Sequence, residues 1–214
     1  LDASIKNVIK TLIEAIILVI LVVYVFLQSF RSTFIPAVSI IVSLIGTFAF
    51  LAVAGFSLNM LTLFALVLVI GTVVDDAIVV VEAVQAKFDE GYKSPYLATI
   101  DAMGNITSAL VTTTFVFMAV FIPVSFMGGT TGTFYTQFGL TMAVAVGISL
   151  LNAMTLSPAL CALIMTPHAD TGNGGKMSFS SRFHVAFDTA FHRVVMKYKS
   201  GVFFMLKRKW LAVV

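Results

Sequence analysis

The chain has 214 residues, of which 59% are apolar and only 11% charged. A soluble domain of ordinary composition is about 45–50% apolar and about 25% charged, so a water-bathed globule is excluded and lipid is the expected solvent. The net charge of +3 comes from 13 Lys and Arg against 10 Asp and Glu. No fold signature or motif accompanies the basic residues to suggest nucleic acid.

A helix that crosses a bilayer needs about 20 mostly apolar residues. Five stretches meet that requirement, at about 8–30, 34–54, 60–84, 107–126 and 138–165. The polar turn Gln28-Ser-Phe-Arg-Ser-Thr33 separates the first two, with Pro36 suited to the opening turn of the second. Gly55-Phe-Ser-Leu-Asn59 separates the second from the third, and Asn59 is the natural N-cap. The link over 82–105 is charged and interrupted by Gly91 and Pro95, where Ser94 and Pro95 suggest a short helix of its own. A glycine-rich, uncharged segment from Met127 to Gly132 precedes the fifth stretch. Residues 166–178 read as a flexible polar linker. Over 179–201, Phe183, Phe187, Phe191, Val194 and Tyr198 recur every three or four positions among basic residues, the pattern of an amphipathic helix lying along a membrane surface. His184 and His192 share that helix but are too few for a metal site. Residues 207–214 read as the start of a further span. The chain opens at Leu1 without a Met and stops inside an apolar run, so a segment of a longer protein is expected.

Basic residues favour the cytoplasmic side of a membrane. Eleven of the thirteen Lys and Arg fall in the Arg31 turn, the 82–105 link and the region after Thr166. The five-span count places all of these on one side, which is therefore expected to be cytoplasmic.

The third stretch contains Asp75 and Asp76. An acid at the bilayer centre costs about 2.5–3.5 kcal/mol on insertion scales, and such residues usually face a bundle interior or a water path. Adjacent positions on a helix diverge by about 100°, so the two carboxylates address different neighbours. Removal from water favours the neutral form of a carboxyl, as does a neighbouring like charge, whereas a cation favours the ionised form. A site balanced between these influences can take up and release a proton. A static buried ion pair, a sodium site and an intramembrane aspartyl protease are the competing readings. The protease needs two carboxylates converging on one water, which neighbours on one helix do not readily provide. Glu14, Gly71, Thr72 and Asn152 are candidates for helix packing or a water path, and Thr112, Thr113 and Thr114 for packing. Gly46 and Gly147, like Gly71, suit close helix contact. The single Cys161 reads as a small buried apolar residue.

Several segments resemble the resistance-nodulation-division (RND) efflux transporters, in the hydrophobe/amphiphile branch of the AcrB and MexB type. They are Lys10-Thr-Leu-Ile-Glu-Ala-Ile-Ile-Leu-Val19, Gly71-Thr-Val-Val-Asp-Asp-Ala-Ile-Val-Val-Val-Glu82, Phe126-Met-Gly-Gly-Thr-Thr-Gly-Thr-Phe-Tyr-Thr-Gln-Phe138 and Leu156-Ser-Pro-Ala-Leu-Cys-Ala162. The adjacent acids Asp75 and Asp76 separate the chain from heavy-metal exporters, which typically carry Asp-Gly there. Ala83 departs from the Asn that many members have after the Glu. The resemblance implies an all-α bundle forming spans two to six of a twelve-helix pump, followed by a cytoplasmic-face helix. It implies proton-driven efflux of hydrophobic and amphiphilic compounds, with Asp75 and Asp76 as the proton relay and their cationic partners on later helices outside this chain. It further implies a homotrimer in the inner membrane of a Gram-negative bacterium, working with a periplasmic adaptor and an outer-membrane channel, without metal or organic cofactor. Other RND-type export, of metals above all, is the alternative transport reading.

Overall fold

The structure, a computed structural model, describes residues 2–56, 59–129, 132–167, 193 and 195–203. The described residues form helices and no strands: α1 (Asp2–Leu27), α2 (Phe30–Val53), α3 (Met60–Asp89), α4 (Pro95–Val124), α5 (Gly132–Met154) and α6 (Leu156–Ile164). With α5 and α6 taken together, five helical segments among the described residues are long and apolar enough to cross a membrane. The chain divides into two units, Leu1–His168 and Ala169–Val214. In the second, residues 195–203 are helical and mostly exposed. The expected linker at 166–178, most of the expected amphipathic helix at 179–201 and the expected further span at 207–214 lie outside the described residues.

Local sequence sets the helix starts. The Ser29 side chain accepts from the Ser32 backbone N–H at 3.4 Å and begins α2 at Phe30. Pro36 therefore sits in the second turn rather than the first, leaving the Ser32 carbonyl without its usual donor one turn on. Asn59 closes a reciprocal capping box at the start of α3. Its Oδ1 accepts from Leu61 and Thr62 N–H, each at 2.9 Å, and the Thr62 hydroxyl accepts from Asn59 N–H at 2.9 Å. Ser94 caps α4 with Pro95 in its first turn, but the short separate helix expected there does not occur. One helix of 30 residues runs from Pro95 to Val124. A mid-helix glycine costs only about 1 kcal/mol relative to Ala, and the buried Ala98 and Ala102 hold this part of α4 against the core on the N-terminal side of Gly104. The last span is interrupted at Thr155, which has non-helical angles (φ −120°, ψ −64°). Pro158 lacks the N–H that the Met154 carbonyl would otherwise accept, so the turn reopens as α6.

The buried face of α3 is mostly β-branched or small, with Leu63, Leu66 and Phe88 the larger exceptions: Ala65, Val69, Val73, Ala77, Val80, Val81 and Val84 are at most 2% exposed. Helix α3 touches each of the other five, so it is the centre of the bundle. Apolar side chains on α1 and on the far face of α4, such as Ile17, Leu21, Phe115 and Val116, are exposed, as lipid contact requires. Gly46 and Gly147 permit close contact, with Ile148 and Met118 respectively. A close approach of one helix to another's backbone occurs instead at Gly139, where a Cβ would lie 2.7 Å from the Phe121 carbonyl oxygen on α4.

Candidate functional site

Helix α3 is 30 residues long, about 45 Å at 1.5 Å per residue, whereas the hydrocarbon core of a bilayer is about 30 Å thick. Part of it therefore extends beyond the lipid, and Asp75 and Asp76 occupy the middle of the helix. Asp76 is half-buried. Its Oδ2 accepts a hydrogen bond of 2.6 Å from the hydroxyl of Ser149 on α5, a residue only 1% exposed. Asp75 is exposed at the edge of a cleft of about 240 Å³ that runs between α3 and α4. Thr72, Asp75, Asp76, Thr113 and Thr114 supply its polar lining, and Val79, Leu110, Phe117 and Val146 much of its apolar wall.

The two carboxylates thus diverge as their adjacent positions require, one toward α5 and one toward the open cleft. Among the described residues, no Lys, Arg or His lines the cleft. Among the described residues neither acid is in an ion pair. No group of three His, Cys, Asp or Glu among these residues could hold a metal ion. A hydroxyl donating to a carboxylate favours its ionised form, and the apolar wall favours the neutral one. The arrangement can therefore bind a proton through groups that pull in opposite directions.

The other candidates separate. Thr72 lies one turn before the acids, lines the same cleft and donates to the Val69 carbonyl at 2.9 Å. Asn152 is a cross-link: its Nδ2 donates to the Ser43 hydroxyl at 2.7 Å, joining α5 to α2. Gly71 is exposed, and a Cβ built on it meets nothing within 4 Å, so among the described residues it makes no close helix contact. Glu14 is exposed on α1, 3.7 Å from Lys10, and does not line the cleft. Sequence reasoning passed over Ser149, since one serine in an apolar helix carries no periodic signal of its own. Its spacing of three from Asn152, which puts both on neighbouring faces of α5, was the available hint.

A second charged group sits at the end of α3. Lys87 is 2.8 Å from both Glu90 Oε2 and Asp101 Oδ2, and its side chain is 14% exposed. The Tyr92 hydroxyl donates to the same Asp101 oxygen at 3.2 Å. Asp101 is thereby engaged by a cation and does not line the cleft with Asp75 and Asp76.

Comparison with known proteins gives one consistent result. The profile of the AcrB/AcrD/AcrF family matches residues 1–214. The chain is 48% identical over 185 residues to the multidrug export protein AcrF of Escherichia coli (strain K12), covering 86% of this chain and 18% of that protein. It is 44% identical over 188 residues to the multidrug resistance protein MdtF of the same organism, covering 88% and 18%. It is 46% identical over 210 residues to the toluene efflux pump membrane transporter TtgB of Pseudomonas putida, covering 96% and 19%. The chain thus spans about a fifth of the length of these relatives.

Proposed function

Because this chain belongs to the AcrB/AcrD/AcrF family of RND efflux transporters, we propose that it is the proton-translocating half-bundle of a larger pump that exchanges protons for hydrophobic and amphiphilic compounds. The relatives' names speak of multidrug export, multidrug resistance and toluene efflux. The observation that carries the reading is the pair Asp75 and Asp76, held in mid-helix beside a largely apolar cleft with one hydroxyl bond and no cation among the described residues.

The chemistry follows from charge. With both acids ionised, the bundle interior carries two like charges that need a cation from the rest of the pump. Protonation removes one charge and turns an acceptor-only carboxylate into a donor. The bond with Ser149 then weakens or reverses, and attraction to the cation falls. Helix α3 contacts every other helix of the unit, so a shift of α3 is transmitted to all of them. A ligand, here the proton, moves such an equilibrium only through its differential affinity for the two arrangements. In the intact pump this bundle lies in a Gram-negative inner membrane as part of a homotrimer, joined to a periplasmic adaptor and an outer-membrane channel. The protein is a secondary transporter rather than an enzyme.

The test is transport by the full-length pump in vesicles with an imposed pH gradient. Asp75→Asn and Asp76→Asn are each expected to abolish gradient-driven efflux while leaving expression intact. Full activity in both variants, or wild-type efflux without any gradient, overturns the proposal.

A further inference from the structure

Helix α4 carries five threonines. Four donate their hydroxyls back to a carbonyl one turn earlier: Thr99 to Pro95 at 2.8 Å, Thr107 to Met103 at 2.6 Å, Thr112 to Ser108 at 2.7 Å and Thr113 to Ala109 at 3.1 Å. Thr114 does not. It is 2% exposed, and its Oγ1 is a buried side-chain oxygen without a hydrogen-bond partner, the one such atom among the described residues. It lines the same cleft as Asp75 and Asp76.

A buried hydroxyl that forgoes the backbone bond its neighbours make calls for another partner. Among the described residues, the other polar side chains lining the cleft are those of Thr72, Thr113, Asp75 and Asp76. Thr72 and Thr113 give their hydroxyl protons to backbone carbonyls and keep only acceptor capacity. A water needs two to four polar contacts and about 10–15 Å³ of its own; the cleft has that room, and a turn of the Thr114 side chain about χ1 would bring its hydroxyl, enclosed in this structure, to that space. We propose that Thr114 holds a water molecule against the acid pair, making the α3–α4 cleft a proton-loading site. This inference rests on the proton-relay reading above and adds a positioning residue to it.

The step balances without a further reactant. A hydrated proton reaching the cleft passes one proton to a carboxylate oxygen of the pair and remains as the neutral water bound by Thr114. Release is the reverse. The titratable groups facing this water from α3 are Asp75 and Asp76, and α4 and α5 place none in the cleft. Thr114 itself carries no charge in either state, so its influence is on how readily the proton is delivered.

The experiment uses the full-length pump. Thr114→Val keeps the side-chain shape and removes the hydroxyl. Thr114→Ala is the smaller variant that cannot clash, and Thr114→Ser restores the hydroxyl. Both hydroxyl-free variants are expected to reach the membrane at wild-type levels but to transport about 3- to 10-fold more slowly, the range one neutral hydrogen bond supports. The pH giving half-maximal efflux is expected to move with them, and Thr114→Ser to return both readings toward wild type. Wild-type rate and pH profile in Thr114→Val overturn the water site, as does a Thr114→Ser variant as slow as Thr114→Val. Asp76→Asn is measured alongside. If it stays fully active, the proton-relay reading itself is lost. If it is inactive while Thr114→Val is unaffected, only the water site is lost.

Discussion

Helix α3 carries two groups of charges that behave in opposite ways. At its C-terminal end Lys87 sits between Glu90 and Asp101, each at 2.8 Å, with Tyr92 completing the shell of Asp101. Twelve residues earlier, about 18 Å along the axis, Asp75 and Asp76 stand side by side with a single hydroxyl partner. The first group holds a cation between its carboxylates and ties the end of α3 to the start of α4. The second has no cation partner among the described residues, in an apolar helix where lipid makes charge costly. Acids paired with a cation have little reason to change state, whereas two acids without one do. Position on one helix thus divides a fastening from a working site.

The contrast is broken most severely by exchanging the roles of the two groups. Asp76→Asn in the full-length pump is expected to lower gradient-driven efflux at least about 100-fold, the scale of losing an essential proton carrier. Lys87→Met should leave efflux within about twofold, because it removes a fastening and not a proton carrier. The Lys87 variant should instead show a lower thermal midpoint in detergent, read by intrinsic fluorescence. Loss of transport equal to that of Asp76→Asn would erase the distinction.

Helix packing elsewhere in the bundle supplies a smaller perturbation. Gly139→Ala places a Cβ 2.7 Å from the Phe121 carbonyl oxygen and 2.6 Å from the Ser125 hydroxyl. Overpacking of this sort costs about 1–3 kcal/mol. A reduced yield of folded pump, with the pH profile of the surviving molecules unchanged, is the expected result, and a shifted profile would place Gly139 within the proton machinery.

Ser149→Ala sharpens the comparison further, since it leaves both acids in place and removes the single bond to Asp76. A hydrogen bond to a charged group is worth about 1.5–3 kcal/mol. The bond is made to the carboxylate that carries the proton, so its loss is expected to shift the pH dependence of efflux. An unchanged profile would show that Ser149 has no part in setting the proton's affinity. The smallest effect is expected for Glu14→Gln, whose carboxylate is exposed and 3.7 Å from Lys10. Efflux within about twofold of wild type fits a surface pair worth little, and a large loss would bring α1 into the proton path.

Much of this architecture was legible because lipid is a demanding solvent. Runs of about 20 apolar residues can do little else, so the all-α bundle and its spans followed directly. Asn59 was readable as a cap because side-chain capping is local chemistry. Asp75 and Asp76 stood out because their cost in an apolar helix is high. What escaped depends on contacts between distant residues. The charged link after Glu82 gave no sign that Lys87 would meet Asp101 across the turn, nor that α4 would run unbroken through Gly104. Ser149 and Thr114 are ordinary helix residues until the fold brings one against Asp76 and the other to the cleft beside it. Gly71 was open to being read as a packing glycine, yet it faces away from the described helices, and only the assembled bundle distinguishes it from Gly139.

Infrared titration of the full-length pump in lipid tests the central claim most directly, because a protonated carboxyl has a carbonyl stretch that its ionised form lacks. The account expects a carboxyl band that appears as pH falls through the working range and is missing in Asp76→Asn or Asp75→Asn. The same band, with the same pH dependence, in a variant lacking both acids would contradict it.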